Sequence, residues 1–493
     1  MRTQASLAAG IAFCLAFSAA ADAATFTVTS TANSGAGTLR QAIIDANVAP
    51  DADTINFNIA GAGVHDIALS SALPDIIHPL TINGYSQPGS AANSNPYSSN
   101  AVILIDIHPA TPFAFSGLQF LFNSTSSKVS GIALNRFGPS QLSFLSDDCR
   151  LTGSFIGLAA DGTTSFTGAP GTSNGVVVQG DDCEIGGNTF ATRNVVSGNI
   201  STGIYVASDN VLIQNNLVGT SSSGGSARPN NIGIQLGNGG FGRPQDTLIG
   251  GEGAVGNTFS GNALRGIHVL SADGTRIQGN VIGRTPFPLA ALPNGGDGIH
   301  ITDGTSILVG PDVAASGTVS NIIASNGGAG VLVSGDTTTA TIIANQISSN
   351  GGLPIDISPS TDLNINDAQD ADTGPNGLQN HPVVTSSDSS GPNTVIEGTL
   401  HSTPNSGFFI DVYRATSCEA DGRASVSQYL GYVSAATNAS GDATWLYNHG
   451  SLLVDGYIVA TASTSAAPSQ TSEFSLCVPA VDAEIFADGF ESP

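Results

Sequence analysis

Three stretches of the chain are versions of one phrase: RLTGSFIG (Arg150 to Gly157), LIQNNLVG (Leu212 to Gly219) and RIQGNVIG (Arg276 to Gly283), spaced 212−150 = 62 and 276−212 = 64 residues apart. Between them run EIGG, LIGG and LVGP, with Ile185, Ile249 and Val309 at matching places, so the repeating unit is a pair of unlike coils. Self-similarity at a fixed period means a stack of structural units that bury their apolar sides against one another. A third series gives the kind of unit: GVVV (Gly175), GIYV (Gly203), GIQL (Gly233), GIHV (Gly266), GIHI (Gly298) and GVLV (Gly330). These segments are β-branched, alternate with period two and are too short for helices, so each coil supplies strands.

An asparagine stands four residues ahead of several of these glycines, at Asn199, Asn262, Asn294 and Asn326, and Asn350 precedes the variant PIDI. Stacked amides can hydrogen-bond from coil to coil, and Asn tolerates the left-handed backbone of a sharp corner. The pattern predicts an all-β chain: a parallel β-helix over residues 126–359, with an N-terminal cap and irregular first coils over 24–125. These phrases resemble those of exported bacterial proteins with right-handed parallel β-helix repeats, and NLVGT at Asn216 and NVVSGN at Asn194 extend the likeness. The resemblance implies a right-handed solenoid and leaves function open, because such solenoids carry lyases, hydrolases, adhesins and inert stalks.

Residues 1–23 read as a signal peptide, with Arg2, an apolar run and an Ala-Asp-Ala cleavage site, which predicts an exported mature protein, secreted or at the cell surface, with no membrane span; the tail DAEIFADGFESP resembles the ends of exported proteins of some Gram-negative bacteria. The chain carries 38 acidic against 13 basic residues, a formal charge of −25. Phosphate would repel such a surface, which excludes nucleic acid as a partner.

In the cap, TFTVTST reads as a strand and TLRQAIIDAN as a helix presenting Leu39, Ile43 and Ile44 on one face, with Arg40 in a structural ion pair. The solenoid's open end needs such a plug. Asp106 in AVILIDI is expected to point outward. Cys149 and Cys183 both end the phrase DDC, 34 residues apart, and fit one column on adjacent coils, where stacked strands allow a disulfide. Cys418 and Cys477 are expected to pair in the C-terminal region.

Residues 360–389 read as an acidic linker, 390–480 as an immunoglobulin-like β-sandwich with Trp445 in its core, and 481–493 as an acidic-aromatic tail. In the linker, Asp362, Asn364, Asn366, Asp367, Asp370 and Asp372 offer hard oxygens at short intervals, as calcium requires; the alternative is a solvated segment of Asx turns.

Motifs that imitate active sites fail on context. GTSNG (Gly171 to Gly175) precedes a solenoid strand and not a helix, and GNGGFG (Gly237 to Gly242) runs into Arg243-Pro244. GDDC (Gly180 to Cys183) is similar to a phrase of β-helical polygalacturonases, but their Gly-His-Gly and Arg-Ile-Lys elements are missing, so Asp181 and Asp182 read as turn residues. A lyase would need Arg or Lys as base beside a cation. What remains is a surface column. With Ile and Val of the G-I-x-V strands inward, Val177, Tyr205, Gln235, His268, His300, Leu332 and Asp356 align outward. Tyr205, Gln235, His268, His300 and Asp356 form the candidate binding ridge, for a polysaccharide or cell-surface glycan, or for a metal between the imidazoles. The sequence favours a non-catalytic protein of adhesion or glycan contact. The alternatives are a polysaccharide lyase or glycoside hydrolase on the His268/His300 face, and a passive spacer.

Overall fold

The computed structural model describes residues 23–166, 173–239, 242–253, 255–312, 319–419, 424–453 and 455–480. The signal peptide up to residue 22, the tail 481–493 and parts of the GTSNG and GNGGFG phrases lie outside these. Among the described residues, successive coils contribute one strand each to three long parallel sheets, the first of 11 strands, the third of nine. The first sheet settles the repeat phase. Leu151 pairs with Ile185, Ile185 with Ile213, Ile213 with Ile249 and Ile249 with Ile277, so the two phrase series alternate on one inward column. The coils alternate in length because their loops differ, and only every second coil repeats the wording.

The core is a filled tube. Ile204, Val206, Ile234, Leu236, Ile267, Val269, Ile299 and Ile301 from the third sheet all reach zero exposure. Each such side chain contributes about 1.5–3 kcal/mol by leaving water. Corners are turned by the glycine that closes each phrase: Gly157, Gly219 and Gly283 take φ of 96°, 91° and 86°. A Cβ on Gly219 would lie 2.4 Å from the Ser260 carbonyl oxygen, so both backbone angle and space demand glycine there.

The asparagines expected at corners form a ladder, but none of them takes the left-handed conformation. Asn199, Asn230, Asn262, Asn294, Asn326 and Asn350 pass one amide hydrogen bond after another along the axis, at 2.8–3.1 Å. A second ladder joins Asn194, Asn216, Asn257, Asn280, Asn321 and Asn345 at 2.9–3.0 Å. Each buried amide also serves backbone: Asn280 Nδ2 donates to Ile249 O, and its N–H donates to Asn321 Oδ1. The ladders thereby pair most of the amide groups they bury; Asn199 Oδ1, at the first rung, has no partner among the described residues.

The N-terminal end is plugged by the helix Leu39–Ala46, capped by Thr38. Its buried face is Leu39, Ala42, Ile43 and Ala46; Ile44 is exposed, because at 100° per residue it falls off the i, i+3, i+4, i+7 stripe. Among the described residues Arg40 makes no ion pair, in contrast to the expectation; it donates instead to the carbonyls of Asn33, Ser71 and Ala72, which take up its guanidinium. Asp106 is buried, held by Asn135 Nδ2 and the Ala160 N–H, because a loop folds over that outward position. The loop 93–100 is anchored by buried Arg193, which donates to the carbonyls of Asn95, Pro96 and Ser98.

At the other end, Val383–Asp388, Thr394–His401 and Asp442–His449 form an antiparallel sheet. It packs through Trp445, Ile396 and Leu400 on a second layer built from Gly407–Cys418, Ala424–Ala436 and Tyr457–Thr464. Val383–Asp388 falls inside the stretch read as linker, its two buried residues, Val384 and Ser387, being set three apart by a bulge that breaks the alternation. The outer face of the second layer closes the solenoid: Tyr413, Val426, Val459 and Phe474 join the solenoid's own core. Disulfides join Cys149 to Cys183 and Cys418 to Cys477. Asp181 and Asp182 lie at turns, Asp182 with φ of 58° and Asp181 accepting from the Asp209 N–H.

Candidate functional site

The outward column of the third sheet is continuous. Val177 pairs with Tyr205, Tyr205 with Gln235, Gln235 with His268, His268 with His300, His300 with Leu332 and Leu332 with Asp356. Parallel strands sit about 4.8 Å apart, so the five candidate binding residues share one line along the axis. All five are at least half-buried, because neighbouring side chains and loops crowd the ridge.

The two histidines are its centre. Their rings lie 5.2 Å apart, tilted by 31°. His300 Nε2 shares a hydrogen bond of 2.8 Å with the Ser334 hydroxyl. His268 Nδ1 and His300 Nδ1 have no hydrogen-bond partner, the Asp297 carboxylate standing 3.6 Å from the latter. Burial pushes the His268 imidazole down to about 3, helped by the charge of Arg265; His300 falls to about 4 for the same two reasons. Both rings are therefore neutral at ordinary pH.

Three residues ahead of each histidine stands a charged residue, Arg265 at the start of its strand and Asp297 two places before its own, and the sequence pattern did not single out their pairing. Arg265 and Asp297 face each other there, 3.5 Å apart between Nε and Oδ2. The signal was the matched wording RGIHV and DGIHI, which sets opposite charges on successive coils. Asp356, at the far end of the column, has an unpartnered Oδ1. Burial first, then the negative charges of Asp297 and Asp362, raise its carboxyl to about 6. The ridge thus offers neutral imidazoles, a carboxyl that is part protonated near pH 6, a tyrosine and an amide: donors and acceptors suited to hydroxyl groups.

The acidic stretch comes together in part. Carboxylate oxygens of Asp367, Asp370 and Asp372 lie within 4.8 Å of one another. Asp362, Asn364 and Asn366 belong elsewhere. Asn364 donates to Ile357 O and its N–H to Glu473, and Asn366 exchanges hydrogen bonds with the His381 backbone. The backbone turns through positive φ at Gln369 and Asp370, which gathers Asp367, Asp370 and Asp372, while Asn364 and Asn366 ahead of the turn spend their amides on other partners. Burial raises Asp370 to about 6, although Ser402 and the Asn380 N–H bond to its oxygens. One further group of ligating side chains, Asp66, Asp106 and His108, was not anticipated; the aspartate inside the apolar run AVILIDI was its signal. The histidine pair does not form such a three-ligand group among the described residues.

The sequence pattern of the family described as "Right handed beta helix region" matches residues 248–421. No curated protein matches the chain. Among solved structures, the chain is similar to the enzymatically active domain of tailspike protein 2 from bacteriophage CBA120, with TM-score 0.24, 11% identity, and coverage of 88% of this chain and 73% of that one. It is also similar to the tailspike protein gp49 from Acinetobacter baumannii bacteriophage Fri1, a capsular polysaccharide depolymerase, with TM-score 0.24, 8% identity, and coverage of 85% and 78%. Likenesses of this size carry no argument about function, which rests on the site itself.

Proposed function

We propose that this right-handed β-helix protein is exported and serves, without catalysis, in glycan contact or adhesion through the ridge from Tyr205 to Asp356. The observation that carries the reading is the state of the two imidazoles. General acid–base catalysis wants a group whose pKa lies near the working pH, and groups at about 3 and 4 are poor acids and poor bases at neutrality. Held neutral, the rings suit stacking and hydrogen bonding with a sugar chain through their outer edges, the two Nδ1 atoms themselves being buried. The repeat of about 4.8 Å between coils supports contact with an extended chain and not with a single small molecule.

Glycoside hydrolysis is the second reading, and one observation favours it: Asp356 is raised to about 6 while Asp297 sits beside Arg265, two carboxyls in unlike surroundings. The immunoglobulin-like character of the C-terminal sandwich, and calcium held by Asp367, Asp370 and Asp372, belong to the same proposal as supporting features.

Retention of the mature protein on immobilised polysaccharides tests it. His268→Ala and Tyr205→Ala are expected to weaken retention at least several-fold. Retention equal to the native protein in both variants removes the ridge as the contact surface.

A further inference from the structure

Where the terminal sandwich meets the last coils, a cleft of about 580 Å³ opens between two walls. One wall is the solenoid's first sheet, with Leu308 and Thr341 in register on successive coils and Pro311 and Ile343 beside them. The other is the sandwich layer that closes the solenoid. Asp411 pairs directly with Tyr432 on one neighbouring strand, and Phe409 lies two residues from Asp411 on the same face. Phe409 and Tyr432 meet edge to face at 5.7 Å and remain 39% and 49% exposed. Large aromatic side chains normally bury such area, and two of them set at right angles at the mouth of a cleft form a concave apolar platform.

Behind that platform lies a group that the fold leaves unsatisfied. Asp411 has no exposed surface, and its Oδ1 accepts from the Tyr429 hydroxyl at 2.9 Å, while its Oδ2 has no hydrogen-bond partner. Buried polar atoms are paired in the great majority of cases, so an orphaned carboxyl oxygen lining a cleft points to a donor that arrives with a ligand. The remaining polar lining consists of hydroxyls, among them Ser463 and Ser465, together with Asp312, which pairs with Arg276 at 3.7 Å. No Lys, Arg or His side chain lines the cleft among the described residues, so nothing there recognises an anion.

The geometry points to a carbohydrate-binding site in this cleft, taking a neutral sugar whose ring packs against Phe409 and Tyr432 and whose hydroxyl donates to Asp411 Oδ2. A pyranose has what the cleft matches: an apolar face of C–H groups and a rim of hydroxyl donors. The volume falls within the range of about 300–1,000 Å³ typical of small-ligand sites. The site lies on different elements from the histidine ridge and does not depend on it.

The test is saturation-transfer NMR and calorimetric titration of the full mature protein with glucose, galactose, N-acetylglucosamine and maltose, and with glucuronate as the charged counterpart. Saturable binding of at least one neutral sugar is expected. It should weaken ten-fold or more in Phe409→Ala and in Tyr432→Ala, and stay unchanged in Phe122→Ala, an exposed aromatic of the first coils that belongs to neither site. Both rings are partly exposed, so the variants should keep the native far-ultraviolet circular dichroism; Phe409→Leu serves as the milder change should Phe409→Ala misfold. The inference is overturned if no neutral sugar binds saturably, if glucuronate binds better than the neutral sugars, or if the ring variants bind as the native protein does.

Discussion

Replacing Asn294 by aspartate changes one atom's chemistry and almost nothing of its shape, which makes it the sharpest probe of the amide ladders. The native Nδ2 donates to Phe259 O at 2.9 Å and to Asn326 Oδ1 at 2.8 Å, while Oδ1 accepts from the N–H and the Nδ2 of Asn262. In Asn294→Asp the donor becomes an oxygen that faces two acceptors at full burial. The carboxyl can relieve one clash by staying protonated, which at pH 7 costs about 4 kcal/mol for a group of ordinary pKa near 3.9. The second acceptor stays orphaned, for about 1–3 kcal/mol more. A loss of about 5 kcal/mol is therefore expected at pH 7. The carboxyl's folded-state pKa is raised, so the penalty is absent below the unfolded value and grows as pH rises. Near pH 4 only the orphaned acceptor should remain, about 1–3 kcal/mol. Urea midpoints followed by circular dichroism at both pH values, with amide exchange at Asn262 as the local readout, measure the difference. A loss under about 1 kcal/mol at pH 7, or one that does not change with pH, would refute the assignment of Asn294 as a fully paired rung of the ladder.

Other consequences are as direct. His300→Gln should lose less stability than the native protein between pH 6.5 and 4: the depressed imidazole takes up a proton in the unfolded chain first, so its contribution falls with acid, and melting temperatures at the two pH values show it. Arg193→Gln should free the loop 93–100, whose carbonyls it holds, and limited proteolysis should then cut there at least several-fold faster. Glu473→Gln should loosen the sandwich from the last coil, because its two oxygens accept from the Ile357 and Asn364 N–H groups at 2.8 and 2.7 Å; a fall of about 1–3 kcal/mol in stability is expected, measured by denaturant midpoint. Millimolar calcium should raise the melting temperature of the native protein and not that of Asp367→Asn; an equal rise in both would place any calcium elsewhere.

The solenoid was legible in the sequence because its pleat and its repeat are both written in single residues. The alternation in GIHV and GIHI fixes which side chains enter the tube, and the constant interval between phrases fixes which coils stack, so the whole column from Val177 to Asp356 followed. The second amide ladder was equally readable, since each member immediately precedes a strand of two or three residues, as in NLVG and NVIG. The pairing of Arg265 with Asp297 was not anticipated because it runs between coils, at positions that look like ordinary surface charge within one coil. The acidic segment misled through spacing alone: without the fold, nothing shows that Asn364 and Asn366 turn away to bond backbone. The cleft beside Asp411 has no sequence signature, because its walls come from residues about a hundred positions apart that meet only when the sandwich closes the tube.

The measurement that bears most directly on the function is incubation of the mature protein with a panel of neutral and acidic polysaccharides, with and without calcium. Retention and newly formed reducing or unsaturated ends are read from the same samples. Contact without catalysis predicts retention on at least one polysaccharide, reduced by His268→Ala together with His300→Ala, and no new ends. New ends from the native protein that disappear in Asp356→Asn would contradict it and establish the ridge as a hydrolytic site.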